Sequence, residues 1–436
     1  MEVVTISTVD ELVNAVGNQA IEVIRVKGKI NESPSLNLSP GQQLLGEGDS
    51  MIKFKRGIDG IEVSRDNKIE GLTFIVEPSC RAILNRPDVD SLGTLSLKNV
   101  KTIGQIQLLA TGSVRSGHVI AQNVEVIEAD TRELQDRPKG FGVYVLQGAF
   151  TLWNQQTDSN VTITAHLTGL RAGSNEKPVQ GSGIFVSGAG DVGGRLEVDM
   201  LETGEIHSNG GIKQGTPDVI SGGVFVVYGA HVKKVVNNGS VTTYGVNDMV
   251  LDNWGMVNEW MAEKRITSHG PSGIGFVNFS EIGTLRILSD IETYGIGARG
   301  FNLYDGSLKY AEFKRIVTHA NAAVGIQVSR PLGTLVVHED IETFGGEGES
   351  LVKGVITQLS ADGLSVKEGG KIDKVEIGGR IVTNGQNVRS LHVQGEINTM
   401  TVKGGIFSNG SGSKAVLIEN GIVPLNGIKI YEHSAK

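Results

Sequence analysis

A seven-residue signature returns along the second half of the chain: GEIHSNG from 204, GSVTTYG from 239, KRITSHG from 264, SDIETYG from 289, KRIVTHA from 314, EDIETFG from 339, GRIVTNG from 379 and GGIFSNG from 404. Between 239 and 339 the copies start 25 residues apart, and the steps of 35 and 40 elsewhere add 10 and 15 residues to the same unit. Each copy follows an alternating segment such as IGTLRILSDI from 282 and precedes another such as GFNLYD from 300. Three short extended segments per period, with Gly, Asn and Ser between them, describe one turn of a β-solenoid. Such a turn buries its apolar row only when the next one stacks on it, about 4.8 Å away.

Aligning on the period places Ile266, Ile291, Ile316 and Ile341 in one column, and Trp260, Leu285, Tyr310 and Leu335 in another, both expected inside. Thr243, Ser268, Thr293, Thr318 and Thr343 fall two residues after the isoleucine column and share its face. The column Ala262, Ile287, Glu312, Val337 would bury an acid, and a local bulge that turns Phe313 inward resolves the conflict. A leucine-rich repeat has a comparable period, and LGTLSLKN from 92 approaches its strand motif, but another strand follows where that fold needs a helix. Parallel crossovers are right-handed, and 25 is not a multiple of six as left-handed hexapeptide helices require. The expected fold is an all-β, right-handed parallel β-helix over residues 21–436 behind an N-terminal cap over 1–20. In that cap Thr8 and Glu11 form a capping box, and Val9, Leu12, Val13 and Val16 share a helical face fit to plug the first coil.

Composition agrees. The 60 glycines among 436 residues are about twice the ordinary share of about 7%, as many tight corners require. A net charge of −8 without a basic stripe argues against nucleic acid. Cys80 is the single cysteine, so no internal disulfide forms, and a buried thiol is its expected role. No apolar run reaches the roughly 18 residues of a membrane span, and MEVVTISTVDELVNAVG lacks the features of an export signal. The expected location is cytoplasmic, or secreted if a signal has been removed.

The amphipathic helix, then IEVIRVKGKI from 21, then LNLSPGQQLLGEGDS from 36, resembles the opening of the pectate-lyase-like β-helix superfamily over about fifty residues. That resemblance implies polysaccharide lyases, glycoside hydrolases, phage tailspikes and non-catalytic proteins as the range of functions. Neither the Trp-Ile-Asp-His stretch of the pectate lyases nor the close Asp-Asp pair of the polygalacturonases occurs, so no residue inherits either activity.

Three segments carry extra chain after equivalent strands: 129–140, 170–181 and 211–222. Insertions at one corner stack into a wall beside the next sheet, with His207 and Asn209 on the floor of the cleft so formed. The sixth place of the signature places Tyr244, His269, Tyr294, His319 and Phe344 in an outward row, which suits either a sugar chain or plain coil-to-coil stacking. His269 and His319 are candidate general bases, and Asp290 and Glu292 candidate acids. The second place alternates Arg265, Asp290, Arg315, Asp340 and Arg380, a ladder that fixes register. Calcium is the one cofactor that Asp290, Glu292, Asp340 and Glu342 would suit, but the arginines oppose it and no metal site is assigned. Two functions follow. One is binding, extending to lyase or hydrolase cleavage, of an extended polysaccharide; the other is a non-catalytic scaffold, fibre-like and homo-oligomeric or intracellular.

Overall fold

The computed structural model describes residues 2–137, 142–352 and 355–432. The chain is an all-β parallel β-helix with one helix near its start, and it divides into two compact units. The first comprises residues 1–140, 145–208 and 225–233, the second 141–144, 209–224 and 234–436.

In the first unit the helix Val9–Gly17 begins at the expected cap: Thr8 Oγ1 accepts from Glu11 N at 3.3 Å and Glu11 Oε2 accepts from Thr8 N at 3.1 Å. Leu12, Ala15 and Val16 are its buried residues. Val13, expected on that face, is 39% exposed, and Ala15 takes its place. Behind the helix, strand Ile21–Ser33 pairs in parallel with Gln43–Phe54, and the stack continues through Ser91–Ile103, Ser116–Glu128 and Thr162–Ala172. Every coil returns through a second sheet, where Ile61, Ile83, Ile106, Phe150 and Ile184 stand in one fully buried column. Strand Ser91–Ile103 leads into strand Gln105–Ala110, not a helix, which disposes of the leucine-rich alternative.

The second unit shows the 25-residue period directly. Val241, Ile266, Ile291, Ile316, Ile341, Ile381, Ile406 and Ile430 are successive register partners. All but Ile430 are fully buried, and each such side chain contributes about 1.5–3 kcal/mol of transfer free energy. Thr243, Ser268, Thr293, Thr318 and Thr343 line the interior beside them. Thr318 and Thr343 donate to the carbonyls of Ala323 and Ala361, so the hydroxyls close the corner into the next sheet.

One expected column is corrected. Leu285 pairs with Ala311, and Ala311 with Leu335, so Tyr310 faces outward opposite Thr284 and Thr334. The cause is one extra residue before Ser307, which pairs with Glu281, and the register returns to 25 between Ile287 and Asp290. That irregularity does turn Phe313 inward, where it is fully buried. Glu312 stays outside and accepts from Arg286 Nε (3.1 Å) and the Tyr310 hydroxyl (3.2 Å), with His338 Nε2 at 2.7 Å. Burial pushes its carboxyl up, but the hydrogen bonds from His338 and Tyr310 outweigh it and hold the pKa below the usual glutamate value.

Candidate functional site

The outward row forms as an uninterrupted stack. Ring centroids are 5.3 Å apart for Tyr244 and His269, 5.1 Å for His269 and Tyr294, 4.5 Å for Tyr294 and His319, and 5.4 Å for His319 and Phe344. No interplanar angle exceeds 11°. This geometry supports the stacking reading of the row. A sugar stacks on the face of an aromatic ring, and here the inner faces cover one another, leaving edges to solvent. The row therefore serves coil-to-coil packing.

Among the described residues neither of its histidines has a hydrogen-bonded carboxylate partner. Burial lowers the pKa of His269, an effect the Glu292 carboxylate opposes. His319 Nε2 lies 3.9 Å from Glu292, beyond hydrogen-bond range. Glu292 itself is paired with Arg265 at 3.2 Å. Asp290 is held by Lys314 (3.0 Å) and Arg265 (3.8 Å), Asp340 by Arg380 (2.6 Å) and Glu342 by Arg315 (3.3 Å). The four carboxylates considered for calcium thus each carry a basic partner, and the ladder fixes register. His207, expected on an open floor, is 4% exposed and its Nε2 is 2.8 Å from Glu205. Asn209 is half-buried and its Oδ1 accepts from Gly211 N at 2.9 Å. Cys80 is half-buried, not enclosed, and burial raises its thiol pKa.

The insertions are ordered against the coils. In the first unit, 129–140 (of which 138–140 lie outside the described residues) and 170–181 meet through Thr131 N donating to Gln180 O at 2.7 Å and Gln180 N to Ala129 O at 2.8 Å. In the second unit, a buried carboxylate fastens both ends of 211–222: Asp248 accepts from Gly210 N (3.1 Å), Ser221 Oγ (2.6 Å) and Gly245 N (2.7 Å).

Beside the first insertion, in the first unit, lies a surface cleft of about 290 Å³ lined by Asp136, Arg137, Trp153, Gln155, Thr157, the Gly188–Gly193 loop and Tyr228. Trp153 sits at the end of strand Gly148–Asn154, opposite Leu109 and Ser187. Its indole N–H donates to Gly188 O at 3.0 Å and its ring rests on Phe185, centroid to centroid 5.3 Å. At 8% exposure it is a floor and not a protruding platform. The Gly188 and Gly190 amides both donate to Tyr228 O, at 3.2 and 3.3 Å, which brings the glycine loop against the tyrosine. Gly190, at φ 84°, occupies the left-handed conformation that this tight approach requires. The Tyr228 hydroxyl donates to the Asp191 carboxylate, and this bond, together with burial, pushes its pKa up to about 12. Asp136, on a short strand antiparallel to residues 144–146, accepts from Gln147 Nε2 at 2.7 Å. An indole floor, a phenol whose O–H is committed to Asp191, the Asp136 carboxylate, a guanidinium and an amide thus converge on one concavity.

Of the cleft, the sequence had marked only the insertion holding Asp136 and Arg137. Trp153 and Tyr228 carried no periodic signal; the pairing of an isolated tryptophan with the glycine-dense stretch SGAGDVGG from 187 was the available clue. Comparison with protein-family models, with curated proteins and with solved structures returns no match. No helix among the described residues is long and apolar enough to cross a membrane.

Proposed function

We propose that this protein binds carbohydrate, holding the end or a short segment of a polysaccharide in the cleft floored by Trp153. The observation that carries this reading is the convergence of Trp153, Tyr228, Asp136, Arg137 and Gln155 on a concavity of about 290 Å³. That volume is at the small end of small-molecule sites, which start at roughly 300 Å³, so a short stretch of sugar is favoured over a long extended chain. The resemblance of residues 9–50 to the opening of pectate-lyase-like proteins points the same way. Tyr228, with its pKa near 12, stays protonated at neutral pH; its one O–H is given to Asp191, so its oxygen is left to accept from a ligand hydroxyl.

A glycan array with the purified chain, with and without calcium, tests this reading, and a saturable ligand is expected. Trp254 and Trp260 are fully buried, so a ligand-induced change in tryptophan emission reports mainly on Trp153. Trp153→Ala is expected to weaken binding at least tenfold. An array without ligands, or unaltered affinity in that variant, contradicts the proposal, and ultraviolet-absorbing unsaturated product would add a lyase activity to it.

A second reading, a non-catalytic scaffold, draws on the ring stack and the ion-pair ladder, both of which serve regular stacking. It predicts defined oligomers by solution mass measurement and no glycan ligand.

A further inference from the structure

On the second sheet, within the second unit, a column of polar side chains alternates with the buried apolar positions of its strands. Register partners Asn302, Gln327, Ser365 and His392 occupy it, one per coil and about 4.8 Å apart. Asn302, Gln327 and Ser365 are 0%, 6% and 1% exposed. Among the described residues neither side-chain atom of Asn302 has a hydrogen-bond partner, and neither does Ser365 Oγ. Leaving such buried groups unpaired is costly, so the column is built to meet something.

The charges around it indicate what. Lys367, two residues after Ser365 and half-buried, bonds through its backbone to Val328 O (2.8 Å), but its ammonium makes no hydrogen bond or ion pair among the described residues. His392 lies between two carboxylates, with Nδ1 3.1 Å from Asp362 and Nε2 2.8 Å from Glu419. Both of its ring nitrogens are thus occupied by carboxylates. Asp362 also accepts from Ser360 Oγ (2.9 Å) and Arg389 N (3.0 Å), and Glu419 from Gln394 Nε2 (3.2 Å). The local acids are thus engaged while the ammonium is not.

We propose that Lys367, Ser365, Gln327 and Asn302 form an oxyanion-binding site, taking a carboxylate, sulfate or phosphate group, independent of the carbohydrate cleft. The ammonium supplies charge, and Ser365 and the two amides supply donors. Burial lowers the Lys367 pKa, an effect that Asp362 and Glu419 oppose and that Arg389 and Arg299 reinforce. A bound anion offsets both penalties by charge attraction.

The test is a titration of the full chain with sulfate, phosphate and glucuronate at constant ionic strength, read by calorimetry and by thermal melting. A saturable rise in Tm is expected for at least one of the three. Tighter binding of glucuronate identifies a sugar-borne carboxylate, and tighter binding of the inorganic ions identifies a free oxyanion. Lys367→Met and Ser365→Ala are expected to weaken that binding at least tenfold with unchanged circular dichroism. Should Lys367→Met misfold, Lys367→Gln carries the same expectation. No saturable binding of any of the three anions, or equal binding in the folded variants, overturns the proposal.

Discussion

Asp248 shows how one buried side chain shapes both a loop and a pH profile. Burial raises its pKa to about 6, although Ser221 and the Gly210 and Gly245 amides all donate to it. The unfolded chain titrates near 3.9, so the folded state holds this proton more tightly. The contribution is present in full below about pH 4 and is lost as pH rises from about 4 to about 6, a decline of about 3 kcal/mol. Denaturant midpoints across that range are expected to show the slope in the native chain but not in Asp248→Asn. Asp340 contributes with the opposite sign: despite burial, the bonds from Arg380 hold its pKa below the aspartate value, so its contribution is lost only as pH falls below about 4. The two windows separate on one pH series.

At the scale of elements, the isoleucine column and the ring row make different predictions. Ile291→Ala opens a cavity between two buried neighbours and is expected to cost about 2–5 kcal/mol by chemical denaturation. Tyr294→Ala removes two stacked pairs at the surface, each worth about 0.5–1.5 kcal/mol, and is expected to cost about 1–3 kcal/mol. The columns were legible because in-register stacking converts a 25-residue spacing into contact, so Ile266, Ile291 and Ile316 announce one another. Tyr310 was misplaced because a single inserted residue before Ser307 leaves the spacing of the flanking copies unchanged. The polar column was illegible for a related reason: the antiparallel strands Glu347–Val352 and Val355–Ser360 intervene between the coils of Gln327 and Ser365. The cleft depends on Trp153 and Tyr228, which meet through a loop whose geometry no periodicity encodes.

At the scale of the molecule, each unit is a stack in which a coil contacts its neighbours, so protection against exchange should grade along it. The first unit begins under a helix whose Leu12 and Val16 are buried. The last described coil of the second unit leaves Ile422, Ile430 and Tyr431 exposed. Hydrogen exchange is therefore expected to be fastest at Ile430–Glu432 and slowest around Ile291 and Ile316. The in-register stack underlies the cleft, the ladder and the anion site alike. Methyl-labelled isoleucine with nuclear Overhauser spectroscopy tests it most directly. The predicted result is an unbroken series of cross-peaks linking Ile266, Ile291, Ile316 and Ile341 in that order; their absence, with each methyl contacting unrelated residues, would contradict it.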